Sequence, residues 1–573
     1  MVDISQLPDL SGLLVTADNP ARADLSQMDY ERCAALHNYL VQYAWVSEGH
    51  PPASLPSNNT FYTAHGAAAE DLRPRLHPSL ASFLATAMMP PLGGPPFFFW
   101  VNGLSDLDFF FADQVTELYD EPEDSVVCLY FPNVGQGGEF GGGLFYHQGY
   151  HRAAVFMHMD DYGYALPVEK HQSLWHPLET ILSNWIDLIH LGKITASPRD
   201  TPALFGSEKI GPWEWRPYSE AQVTTCVGAW DRLCNAIEAR VLPFLQLPLT
   251  GTTAGEVEFE PLVAPSVLDA ASVPNPCFAR SFLSRARRPQ FRCIAPGLLL
   301  PPKDASGFTA LQRLTRLPRD PQAIPPICLF PAERANLKAN LTGSSSPFCK
   351  DFRATSTNSR VPSRVPAGVY SESVERNAYD NAEEGFRLLL PYVLGGDANY
   401  PSIGARKSDG SYVTTGSAVE LFQHGYKPFG GDYHRPQRLE RLFDHWRMLV
   451  DEGIWLLAPI WPQGLEGTID TFKEADTWQW RDYAIPPTCL DPESSRQREF
   501  SNQHSIMTMG GSSPSSHPRK FLRTLRSRAE IITSDGDDYS ERLCDTEFDS
   551  QGEVNMILLK SRRYQATSRP PGL

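Results

Sequence analysis

Apolar side chains recur at helical spacing in several stretches of the chain. Cys33, Leu36, Leu40, Val41 and Ala44 mark one face of a helix over 30–46. Leu178, Ile181, Leu182, Trp185, Ile186 and Ile189 mark a second over 177–191, with Pro177 suited to its first turn and Gly192 to its end. Further helices are expected over 219–241, 374–389 and 436–452, the last with Leu439, Leu442, Phe443, Trp446, Leu449 and Val450 as its buried stripe. Between the first two, the runs 126–131, 144–151 and 153–158 read as strands of a small antiparallel sheet. Such a sheet followed by mostly helical sequence predicts an α+β fold. A doubly wound parallel fold would need strands and helices in alternation.

Composition interrupts this pattern. Between Pro274 and Pro366 stand fifteen Lys and Arg against four Asp and Glu, with fourteen of the fifty prolines. No apolar period is sustained there, so 266–366 is expected to be a largely disordered basic insert or linker. It would divide 1–265, which carries the sheet, from a mainly helical piece, 367–488, either a second domain or the first continued. The Ser/Gly/Pro-rich sequence over 489–573 reads as a disordered tail.

A net charge of −17 argues against general affinity for nucleic acid or anionic membrane, both of which are bound through clustered cations. The first residues show no basic segment leading into an apolar run, and no apolar stretch reaches the roughly 18 residues that span a bilayer. A cytoplasmic protein without a membrane partner is the expectation. The ten cysteines include no Cys-x-x-Cys pair, which fits reduced, structural thiols.

The candidate chemistry is concentrated. Six of the fifteen histidines lie between His147 and His190, beside Asp160, Asp161, Glu179 and Asp187. Imidazole next to carboxylate serves both metal binding and proton transfer near neutral pH. His158 and Asp160 are two apart, so on a strand they share a face and can hold one ion. Their His-x-Asp spacing is similar to two of the three ligands in the facial triads of non-haem iron oxygenases. A third ligand must come from elsewhere, with His171, His176, His190, His424 and His434 eligible. On the 177–191 helix, Glu179, Ser183, Asp187 and His190 form a polar stripe that is either solvated or lines a pocket. His147 and His151 belong to a strand and turn with Tyr146 and Tyr150. A second group, His424, Asp432, His434, Asp444 and His445, would meet the first only if the two pieces share a cleft.

The glycine run 135–143 lacks the strand-to-helix context and the lysine of a phosphate loop, and reads as a flexible hairpin or lid. No nucleophile elbow, kinase or zinc-protease signature is present. The sequence therefore points to an enzyme of specialised metabolism acting on a small, apolar molecule. Its catalytic candidates are His158, Asp160, Glu179 and Asp187, and His158, Asp160 and His190 are the candidate ligands of a divalent transition metal. The opposing expectation is a non-catalytic scaffold whose histidines are structural and whose basic insert meets a partner.

Overall fold

A computed structural model describes residues 7–485, apart from 17, 25, 112–121, 134–141, 157–167, 171, 206–208, 242–258, 343–345, 356–359, 377–382, 396–403, 426–435 and 460–461. All of these described residues fall in one compact unit, Met1–Asn502. The expected tail over 489–573 lies outside them, as does most of the glycine run.

Helix α1 (Tyr30–Ser47) starts on Asp29, whose carboxylate accepts from the Arg32 amide, and buries the predicted face from Cys33 to Ala44. Helix α2 (Pro78–Thr86) opens on a proline, whose missing N–H is no loss at that position. Strands β1 (Val101–Leu104), β2 (Val126–Pro132), β3 (Gly143–His147) and β4 (Arg152–Phe156) form an antiparallel sheet in that order. Its two faces enter different apolar clusters. Val127, Leu129, Leu144, Tyr146, Ala153 and Val155 join α1 and α2, whereas Val126, Cys128, Phe145, Ala154 and Phe156 pack on Leu174 and Trp175. A sheet covered on both sides explains why these strands read as unbroken apolar runs.

Helix α3 (Leu178–His190) covers the first face of the sheet. It ends as the sequence predicts: Gly192 takes φ +69°, its amide donates to the Ile189 carbonyl and that of Lys193 to the Leu188 carbonyl. A three-stranded sheet of β5 (Ile194–Ala196), β6 (Lys209–Ile210) and β7 (Trp213–Trp215), with β7 central, completes this first core.

The second core begins at Tyr218 with α4 (Glu220–Val241), and it corrects the expectation of a disordered insert. Residues 266–366 contain most of α5 (Pro265–Ala270), α6 (Phe278–Arg285), the β8–β9 hairpin (Cys293–Ala295 and Leu298–Leu299), α7 (Ala305–Leu311), β10 (Cys328–Pro331), and the pair β11 (Lys338–Asn340) and β12 (Arg364–Pro366). Phe278, Phe282, Leu283, Ile294, Ile327 and Phe330 from this stretch are buried with side chains of α4 and the C-terminal helix. Its arginines stitch the chain to itself. Arg285 pairs with Glu220, Arg287 with Glu238, and Arg316 and Arg319 donate to carbonyls of Ala270 and of Thr315 and Ala323. These side-chain bonds, which have no period in sequence, accompany an apolar packing spread over short elements.

The expected helix over 374–389 is likewise corrected. Phe386–Leu389 is strand β14, which with β10 and β13 (Gly368–Ser371) forms an antiparallel sheet with β13 central. Short apolar runs fit a buried strand and a helix equally well, and here the sheet wins. "Mostly helical" is therefore too strong for the sequence after the first sheet, although the mixed α+β class holds. The last helix, α8 (Leu439–Asp451), buries its predicted stripe against α4, and Arg232 grips Asp444 through two bonds of 3.0 and 2.8 Å.

Buried ion pairs occupy the passage from the first core to the second. Lys193, fully buried, pairs with Glu384 and lies 5.0 Å from the centre of the Trp215 ring. Arg376 binds Glu383 at 2.7 Å, and the Phe278 amide donates to the same carboxylate at 3.2 Å. Burial nevertheless raises the Glu383 pKa from 4.5 to about 7, against the pull of Arg376. The folded state thus keeps a proton that the unfolded chain releases. Its stabilising effect is complete below pH 4.5 and is lost as the pH climbs to about 7. Glu383→Gln is expected to flatten the fall in unfolding free energy across that window, checked by urea titrations at several pH values. Parallel curves for the two proteins would assign the slope to other groups.

Candidate functional site

Of the described histidines of the first group, His147 and His151 stand on the turn between β3 and β4, whereas His176 bridges to Ala153 of β4 and His190 ends α3. His147 Nδ1 accepts from the amides of Gly149 and Tyr150 at 3.0 and 3.1 Å, which leaves the other ring nitrogen to carry the proton. His151 holds φ +52°, a conformation uncommon outside glycine, and the Tyr146 hydroxyl and His151 Nδ1 share a hydrogen bond of 3.0 Å. The His77 ring stands 4.4 Å from that of His151, and its Nδ1 lies 2.9 Å from Ser79 Oγ. The Gln148 side chain fixes the turn from below, accepting from the His77 amide and donating to the Arg75 and Asp124 carbonyls.

Burial, followed by repulsion from His77 and His147, lowers the His151 pKa to about 4. The ring is therefore neutral at pH 7. His147, His151 and Tyr146 are all buried, so the cluster is a satisfied network rather than an open catalytic surface.

Glu179 lies near this network and is 2% exposed. Its carboxylate accepts from the Arg22 amide at 3.1 Å and contacts the Cys33 thiol at 3.6 Å, and burial raises its pKa. Ser183, one turn on, accepts from the Val15 amide. At this end the polar stripe of α3 is neither solvated nor a pocket wall, because it fastens the N-terminal segment. Asp187 and His190 lie about 12 Å or more farther along the helix axis. His190 Nε2 meets the Tyr39 hydroxyl at 3.3 Å, while burial raises the Asp187 pKa against the influence of Arg438 and His190. Glu179 and His190 thus belong to different surroundings.

His158, Asp160 and His171 lie outside the described residues, as do Asp432 and His434. Among the described residues, no three His, Cys, Asp or Glu side chains are placed to hold a metal ion, and no helix is long and apolar enough to cross a membrane.

A cleft of about 760 Å³ opens where the sequence suggested no site. Phe291, Leu299, Leu300 and Pro301 give it apolar walls, with Glu260, Arg288, Arg292, Lys303, Glu333 and Gln463 among them. The β8–β9 hairpin builds it. The Arg292 amide donates to the Pro462 carbonyl at 3.0 Å and its carbonyl accepts from the Leu300 amide at 2.9 Å. At the hairpin tip, Gly297 takes φ +68°, and a side chain there would collide with the backbone amide of Ile469. Pro296-Gly297 between two apolar runs was the sequence signal of this turn, hidden by the basic, proline-rich surroundings.

No protein-family model, curated protein or solved structure matches the chain.

Proposed function

We propose that the protein binds a small molecule with an apolar body, seated in the cleft beside the β8–β9 hairpin. The observation that carries this reading is a concavity of about 760 Å³, within the range of ligand pockets, with apolar walls and a few charged groups. The basic stretch 266–366 gives little support to the scaffold alternative, since many of its arginines are spent on contacts within the chain.

The test is ligand-observed NMR of the full chain against a library of small metabolites. Binding should be lost in Leu299→Trp and in Gln290→Trp; the second fills the cleft from an exposed position that the fold does not depend on. Hits that survive both substitutions would place binding elsewhere.

Catalysis is the second reading, favoured by the positive φ that His151 adopts on the turn before β4. In it, His158 and Asp160 supply the acid–base or metal-binding set on the segment that follows β4. Elemental analysis after incubation with Fe(II), Zn(II) or Mn(II) should then find a stoichiometric metal that is lost in His158→Ala. Equal metal content in the two proteins would remove the metal-dependent form.

A further inference from the structure

We infer that the ligand of this cleft is a small organic anion, a carboxylate or phosphate monoester carried on an apolar body; the inference rests on reading the cleft as a binding site. Its lining holds three cations and two carboxylates, a formal excess of one positive charge. Glu260 lies 2.7 Å from Lys303 Nζ, whereas the Glu333 carboxylate, 3.6 Å from the exposed guanidinium of Arg334, has no hydrogen-bond partner among the described residues and offsets one of the remaining cations. Arg288 and Arg292 remain.

Arg288 is half-buried and donates to the carbonyls of Leu262 and Pro301, the second at 2.6 Å. These bonds use two of its five N–H groups and hold the guanidinium against rotation. Burial lowers its pKa, yet arginine stays charged across the accessible pH range. Arg292 is exposed, and its side chain has no hydrogen bond or ion pair among the described residues. Two guanidiniums flank a wall of Phe291, Leu299 and Pro301, and the fork of a guanidinium matches the paired oxygens of carboxylate or phosphate. The chain as a whole is at −17 and repels polyanions, so this local excess of positive charge suits a small anion.

Isothermal titration calorimetry of the full chain with octanoate, octyl phosphate and octanamide separates the alternatives. At least one anion should bind roughly tenfold or more tightly than the neutral amide, the gain of charge-assisted hydrogen bonds. The preferred anion identifies which of the two headgroups is read. Arg292→Gln should abolish the preference and Arg292→Lys should retain part of it, both without change in thermal midpoint. If octanamide binds as well as the anions and all binding is lost in Gln290→Trp, the cleft is a binding site but not an anion site. If neither anion binds, the inference is overturned as well. Binding indifferent to Gln290→Trp would overturn the cleft itself.

Discussion

Lys193→Ala should lower the unfolding free energy by about 3–5 kcal/mol, the cost of leaving one partner of a buried pair uncompensated. Lys193 is fully buried, and its ammonium serves the Glu384 carboxylate and the Pro217 carbonyl at the passage between the two cores. Once the cation is gone, Glu384 must stay charged without a partner, take up a proton or draw water inward. The double variant Lys193→Met/Glu384→Leu removes both charges and should recover most of the loss, because an apolar pair of similar size avoids the desolvation penalty. Guanidinium titrations of the three proteins measure the loss and its recovery. A loss below about 1 kcal/mol in Lys193→Ala, the size seen for exposed pairs, would show that the junction is wet.

His37→Leu should show a large cost that depends on pH. His37 is fully buried in the first core, with Nδ1 2.7 Å from the Tyr130 hydroxyl and Nε2 2.8 Å from the Met88 carbonyl. One neutral tautomer satisfies both: Nε2–H donates to the carbonyl while Nδ1 accepts from the phenol. Leucine leaves two buried polar groups unpaired, at about 1–3 kcal/mol each. Burial also lowers the His37 pKa from 6.5 to about 4, against the effect of the Met88 carbonyl. Between those values the unfolded chain binds a proton that the folded state refuses, so the wild type loses stability as the pH falls through the window. The leucine variant has no such group. Its deficit, largest near pH 7, should narrow by about 3 kcal/mol toward pH 4. A deficit independent of pH would mean that His37 is protonated in the fold.

The parts legible in sequence are those where one physical term dominates. The apolar stripes of α1, α3 and α8 and the Gly192 stop are where periodicity placed them, because each helix presents a single face to a core. The four-stranded sheet was recognisable from β2 to β4 because both of its faces are covered, which makes each strand an unbroken apolar run. The stretch 266–366 was not legible, because its buried apolar residues, Phe278, Phe282, Leu283, Ile294 and Phe330 among them, come from short helices and strands separated by prolines and arginines and keep no single period. The polar stripe of α3 was visible as a stripe. That Glu179 and Ser183 would receive the amides of Arg22 and Val15 depends on a segment more than 150 positions away. The cleft was invisible for a related reason: its walls come from five separate parts of the chain, from Glu260 to Gln463.

Helix α3 is fastened at both ends to parts of the protein remote in sequence. Its first turn receives the N-terminal segment through Glu179, and the turn that closes it delivers Lys193 to Glu384. The helix thus works as a ruler of fixed length and phase. Adding or deleting one residue within it would rotate one end relative to the other by about 100° and move it by about 1.5 Å, so that both fastenings could not be kept together. Point changes on its surface leave that phase intact, whereas a change in length propagates to the N-terminal segment and the second core at once.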